Sequence, residues 1–182
     1  MLLSHDDLMM LVRMNIVEGA KESAVNAASI DIHLGRKVLI ERGNHEDRPP
    51  LVIDYRKRER PVMWEYELPD DGYVLQPGEF ILAQSEEVFN LPNHISAEYK
   101  LKSSMARIGL EHMNAGWCDA GWHGSVLTLE FKNMLNHHPI RIRPGDAIGQ
   151  MIFFQHMAVP QEKSYAVRGR YNNDKSVSTI RE

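Results

Sequence analysis

Two Pro-Gly turns, Gln76-Pro77-Gly78-Glu79 and Arg143-Pro144-Gly145-Asp146, each sit between short runs of Val, Ile, Leu and Phe. Proline fixes φ and glycine admits a left-handed backbone, so each tetrapeptide bends the chain and ends the element before it. What grows between such bends is short, and the spacing predicts strands. Val74 to Ala83 reads as one hairpin around the first turn. Ile140 to Ile142 and Gln150 to Phe154 read as a second pair around the other. From Ser29 onward Ile30, Ile32 and Leu34 alternate with Asp31 and His33 up to Gly35, a period-2 pattern, and Ile95 to Leu101 reads as a further strand. The expectation is a mainly β fold, a distorted barrel or roll with a small helical addition.

That addition is N-terminal. Ser4 is an N-cap candidate, Asp6 and Asp7 lie in the first turn, and Leu8, Leu11 and Val12 repeat at helical spacing. A helix from Ser4 to Val17 is expected, with Gly19 as its stop. Asn44 to Arg60 is polar, carries Pro49-Pro50 and mixed charge, and reads as a surface insertion or long hairpin. No repeat or low-complexity segment interrupts the chain, so all 182 residues are expected to form one domain.

Composition narrows the function. A net charge of −4 is not the basic footprint of a nucleic-acid binder, so any phosphate site is built locally. The only cysteine is Cys118, which rules out an intrachain disulfide and also the His/Cys/Cys zinc site of the zinc nucleoside deaminases. Acidic residues early in MLLSHDDLMMLVRMN make it unlike a signal peptide, and no run approaches about 18 apolar residues. The expected setting is cytoplasmic, with neither nucleic acid nor membrane as partner.

Chemistry concentrates between Lys102 and Asn133. Lys102, Ser103, Ser104 and Arg107 form either a solvated turn entering a helix or an anion site of cations and hydroxyls. Glu130 falls inside Val126-Leu127-Thr128-Leu129-Glu130-Phe131, a run that otherwise reads as a buried strand. It shares a face with Thr128 and Lys132, so it is either an ordinary solvent-facing residue or a general acid/base whose proton affinity burial would set. Asp119 caps the turn at Ala120-Gly121 or serves a ligand. Trp117 and Trp122 read as packing or interface residues. No two histidines have the i, i+4 spacing of a helical metal site, and His112 and His123 read as surface or hydrogen-bonded histidines. The ten methionines read as core or interface filler.

These blocks also carry a family resemblance. KSSMARIGL resembles the [RK]-S-S-x-A-R-x-G-L signature of the dCTP deaminases, a branch of the dUTPase-like superfamily. NAGWCDAGWHG resembles their T-A-x-x-x-D-P-G-[WFY]-x-G segment, and LTLEFKN their x-x-L-E-[FLI]-x-N strand. ASIDIHLG and VLQPGEFILAQSEEVFNLP match two more family blocks in the same order, and the family opens with a helix after a Leu-Ser pair.

The resemblance implies a dUTPase-like (β-clip type) roll behind a short N-terminal helix, assembled as a homotrimer with sites between subunits, so one chain would carry an incomplete site. It implies hydrolytic deamination of dCTP to dUTP and ammonia, the route toward dTTP. Glu130 would be the general acid/base, and Ser103 and Arg107 would position water, base or phosphate, with Arg107 close to Glu130. Lys102, Ser104, Gln150, Tyr165, Arg170 and Tyr171 would bind substrate, chiefly its triphosphate. Asp119 would hold the sugar region, and Asn114 and the Ala115 backbone would read the pyrimidine. Residues 160–182 would be an arm closing over the nucleotide. Mg²⁺ would arrive on triphosphate oxygens. Feedback by dTTP is common in the family. Lys102 in place of Arg, Asn114 in place of Thr and Ala120 in place of Pro depart from the pattern and bear on base identity. The alternatives to dUTP formation are a bifunctional enzyme that continues to dUMP and pyrophosphate, or a non-catalytic nucleotide-binding regulator.

Overall fold

The computed structural model describes residues 1–41 and 52–181. The first part of the expected insertion, residues 44–51, therefore lies outside the described residues. In chain order the elements are α1 (His5–Arg13), β1 (Val17–Glu18), β2 (Ile30–Glu41), β3 (Met63–Glu67), β4 (Tyr73–Leu75), β5 (Phe80–Asn90) and β6 (Ile95–Leu101). They continue with α2 (Ser103–Arg107), β7 (Leu110–Glu111), β8 (Trp117–Cys118), β9 (His123–Asn133), β10 (Ile140–Ile142), β11 (Ala147–Gln155) and α3 (Tyr165–Arg168). The fold is mainly β, a curled sheet behind a short N-terminal helix, as the sequence led one to expect.

The helix is shorter than expected. The Ser4 N–H donates to Asp7 Oδ2 at 3.2 Å, and Leu8, Leu11 and Val12 are buried. It ends at Arg13 rather than Val17, because Asn15 takes a left-handed φ of 55° and Val17 then pairs with Phe89 of β5. A ladder partner distant in sequence overrides the helical spacing.

Both expected hairpins are corrected. β4 pairs with β10, whereas β5 pairs with β2 and β9, and β11 with β2 and β6. The Pro-Gly turns are corners, each sending the chain from the small β4–β10 ribbon into the large sheet. They are built alike. The Gln76 and Arg143 N–H groups donate to the Glu79 and Asp146 carboxylates at 2.7 and 2.8 Å. The Gly78 and Gly145 N–H groups donate to the Asn133 and Leu34 carbonyls, each glycine holding a positive φ.

The path through the large sheet is β7-β9-β5-β2-β11-β6-β8, with β1 on β5 and β3 on β2. Its inner face is the core: Ile30, Ile32 and Leu34 of β2, Ile81 and Phe89 of β5, Leu129 and Phe131 of β9, and Met151 and Phe153 of β11 are almost fully buried. Burying each such side chain stabilises the fold by about 1.5–3 kcal/mol. On β9 the pattern alternates from Thr128 to Asn133, leaving Thr128, Glu130 and Lys132 half-buried on the other face. That face carries the site.

Candidate active site

The half-buried face of β9 forms one wall of a cavity of about 420 Å³. Glu130, Thr128, Val126 and Leu127 come from β9 and Leu82 from β5. Ala115, Trp117, Cys118, Asp119 and Trp122 come from the chain around β8, and Tyr165, Tyr171, Asp174 and Ser178 to Ile180 from the C-terminal segment. Five of the residues singled out in the sequence therefore meet: Glu130, Asp119, Ala115, Tyr165 and Tyr171.

The C-terminal segment reaches the wall through specific bonds. Trp122 Nε1 and Ser125 Oγ donate to the Tyr171 carbonyl at 2.9 and 2.7 Å, and the Val126 N–H donates to the Asp174 carbonyl at 2.9 Å. The Val177 N–H donates to Gln84 Oε1 at 3.0 Å, and buried Asp174 pairs with Arg181. Trp122 is buried and stacks on Phe89. Trp117 is exposed and donates from Nε1 to Asp119 Oδ1 at 2.8 Å, which fixes that carboxylate at the cavity rim.

The electrostatics of the cavity are one-sided: among the described residues no lysine or arginine lines it. Burial pushes the Glu130 carboxyl up to about 7, opposed by its own backbone N–H. The expected counteracting cation, Arg107, is not among the causes. A carboxyl poised near neutrality takes and returns a proton at ordinary pH. Burial followed by the Asp119 charge raises the Cys118 thiol, which keeps it a neutral wall residue.

The remaining residues lie elsewhere on this chain. Ser103, Ser104 and Arg107 form the exposed helix α2, and Arg107 has no ion pair among the described residues. Lys102 caps α2 and places Nζ 2.5 Å from Asp31 Oδ2. Gln150 stands opposite Asp31 in the β2–β11 register, and Ser29 Oγ donates to its Oε1 at 3.5 Å. Arg170 is exposed. Asn114 lies outside the cavity lining, in a left-handed pair with Met113 at φ of 55° and 42°. Non-glycine residues in that region cluster at functional sites.

Two residues were missed. His112 is 3% exposed, so it is not a surface histidine; its Nε2 makes no hydrogen bond among the described residues and lies 3.4 Å from Glu130 Oε2. That separation is proximity rather than a hydrogen bond. Burial lowers the imidazole to about 4, so it is neutral at pH 7. Tyr99, 2% exposed, packs on it with ring centroids 4.4 Å apart. The position of His112 two residues before Asn114 was the available signal; Tyr99 gave none.

Among the described residues no three His, Cys, Asp or Glu side chains are grouped to hold a metal ion, and no helix is long and apolar enough to cross a membrane.

Comparison with known proteins adds a lineage. Residues 2–156 match the family model described as dCTP deaminase-like. The chain is 35% identical over 158 residues to a Persephonella marina protein named "dCTP deaminase, dUMP-forming", covering 86% of this chain and 82% of that one. A Kocuria rhizophila protein of the same name is 36% identical over 159 residues, covering 86% and 79%. Among solved structures, the 2'-deoxycytidine 5'-triphosphate deaminase of Agrobacterium tumefaciens superposes with a TM-score of 0.65 at 27% identity, covering 84% of this chain and 47% of that one.

Proposed function

Because this chain belongs to the dCTP deaminase-like family, we propose that it converts dCTP and two waters to dUMP, ammonia and pyrophosphate. This corrects the sequence-based expectation that dUTP is the final product: the matched relatives are named dUMP-forming. The observation carrying the catalytic assignment is the Glu130 carboxyl, held near neutrality by burial in the same cavity as Asp119.

In the first half-reaction Glu130 takes a proton from the water that attacks C4 of cytosine. It delivers that proton to N3, then takes the proton of the new C4 hydroxyl and passes it to the amine, so that the C4–N bond breaks, ammonia departs and the C4 carbonyl forms. The same carboxyl serves both transfers because it is restored at the end. In the second, Asp119 and Glu130 orient a water toward the α-phosphorus, and the P–O bond to the departing pyrophosphate breaks. Asn114 and the Ala115 backbone read the base, and the segment through Tyr165, Arg170 and Tyr171 covers the nucleotide as an arm.

A polyphosphate also needs cations, and among the described residues none lines this cavity. Lys102 and Arg107 supply them from a neighbouring copy, with the Ser103 and Ser104 hydroxyls as neutral donors beside them, and Gln150 joins them through its position opposite Asp31. That arrangement makes the working unit an oligomer, a homotrimer on the family pattern. Mg²⁺ travels on the triphosphate, whose oxygens provide the hard ligands that this cation takes.

Incubation of metal-stripped protein with dCTP and added Mg²⁺, followed by chromatography, tests the proposal. Ammonia, dUMP and pyrophosphate appearing together is the expected result. Accumulation of dUTP refutes the second half-reaction, and intact dCTP refutes both.

A further inference from the structure

A second cavity, of about 360 Å³, adjoins the first at Asp119 and Tyr165, which line both. Ser96 of β6 forms part of its wall, and Lys163 and Arg168 bring two cations to it. Neither cationic side chain has an ion pair or hydrogen bond among the described residues. They stand on a fixed base. Between them Ser164 is fully buried, its Oγ donating to Asn93 Oδ1 at 2.5 Å, and the Tyr165 N–H donates to the Ala120 carbonyl at 3.0 Å.

The same cavity also carries acceptors. Asp119 is engaged through Oδ1, which accepts from Trp117 Nε1 at 2.8 Å, and its Oδ2 has no partner among the described residues. Ser96 is 6% exposed, and its hydroxyl hydrogen is already committed. The Met157 carbonyl can only accept, so His156 Nδ1, 2.8 Å away, carries the proton of the neutral imidazole. Nε2 is then an acceptor and takes the Ser96 hydrogen at 3.0 Å, which leaves the Ser96 oxygen only lone pairs to offer a ligand.

Two cations beside two acceptors suit an anion that still carries a proton. Sulfate would meet Lys163 and Arg168, but its oxygens would face those of Asp119 and Ser96 with no hydrogen between them. Inorganic phosphate keeps at least one P–OH at neutral pH and can donate it there. We propose that this cavity is a second ligand site, for inorganic phosphate. Lys163 and Arg168 take its charge, and Asp119 and Ser96 accept from its P–OH. A phosphomonoester such as the end of dUMP has the same chemistry but loses its last proton at about pH 6, so the free ion is the better fit at pH 7.

Equilibrium dialysis of radiolabelled phosphate against the full chain at pH 7, with sulfate and dUMP as competitors, tests this without any turnover. One phosphate per chain is expected, and sulfate should need at least about tenfold more than unlabelled phosphate to displace it. Lys163→Gln and Arg168→Gln, both at exposed positions, should each weaken binding about tenfold and together abolish it. Ser96→Ala should narrow the preference over sulfate. Sulfate that competes as well as phosphate overturns the proposal, as does phosphate that stays bound to the double variant or never binds the native protein. If dUMP displaces phosphate as well as phosphate itself does, the site belongs to a nucleotide end and the assignment to the free ion falls.

Discussion

Two regions of this chain divide the chemistry that one nucleotide needs. The cavity under β9 gathers Glu130, Asp119 and Asp174 without a lysine or arginine, is walled by Trp122, Val126 and Leu127, and raises its central carboxyl to about 7. Helix α2 and its cap carry the opposite inventory, Lys102 and Arg107 with Ser103 and Ser104, on an exposed turn that lines no part of that cavity. The first region is shaped by burial and the second by exposure. A carboxyl that must hold a proton near neutrality benefits from desolvation, whereas cations meant for phosphate must stay charged. Separating them in the chain lets both conditions hold, and in the proposed oligomer a second copy would bring them together.

The largest effects test that division directly. Glu130→Gln should cut deamination by about 10²–10⁴-fold, read by ammonia release, with nucleotide binding by calorimetry retained. Arg107→Ala should also be inactive, through the other half. If the halves come from different subunits, refolding the two dead variants together restores about a quarter of native activity, because a quarter of randomly assembled sites then pair an intact Glu130 with an intact Arg107. No recovery on mixing would place both residues in one subunit's site and end the comparison as drawn.

A second test asks whether the dry region behaves as dry. Glu130 is raised from 4.5 to about 7 and His112 lowered from 6.5 to about 4. A raised carboxyl weakens the fold as pH climbs from 4.5 to 7, since the unfolded chain releases a proton that the folded one keeps. A depressed histidine weakens it as pH falls from 6.5 to 4, since only the unfolded chain takes the proton up. Each amounts to at most about 3 kcal/mol, and in the native protein they largely cancel over the shared window. Removing one exposes the other. By urea unfolding, Glu130→Gln should gain on the native protein as pH rises through 7, and His112→Asn should gain as pH falls below 6.5. Parallel pH curves for all three would mean that water reaches the region freely.

What was legible in the sequence follows the same line. The β9 run with Glu130 was readable because a charged residue interrupts an apolar alternation, and α2 because its cations and hydroxyls cluster within one turn. The corners at Pro77-Gly78 and Pro144-Gly145 were readable as bends but not as corners. Their local chemistry is identical whether the next strand returns to its neighbour or pairs with β9 or β6, and that choice is made by burial of residues far apart in the chain. The end of α1 at Arg13 is a similar case, decided by the pairing of Val17 with Phe89. His112 was misread as a possible surface residue because its burial depends on Tyr99 of β6 and Phe131 of β9, which pack on its ring, and Tyr99 gave no signal because its buried place depends on Gly149 of β11.

The smallest effect concerns how the exposed region is held ready. Lys102 is a flexible point charge, and its partner Asp31 is itself fixed by Asn26 Nδ2 at 2.8 Å. With side chains 28% and 19% exposed, the Lys102–Asp31 pair is only partly screened. The pair orients Lys102 for phosphate or competes with phosphate for it, and the two roles have opposite kinetic signs. We expect orientation, because Asp31 sits on a strand and cannot follow the lysine outward. Asp31→Asn should then raise KM for dCTP about threefold, while kcat stays within about twofold of native, a change of under 1 kcal/mol. The difference should shrink as salt rises from about 0.05 to 0.5 M, since screening acts on an exposed cation and not on a buried one. A KM that falls in Asp31→Asn would make Asp31 an internal stand-in for phosphate, and α2 would then be a region held closed until substrate displaces the carboxylate.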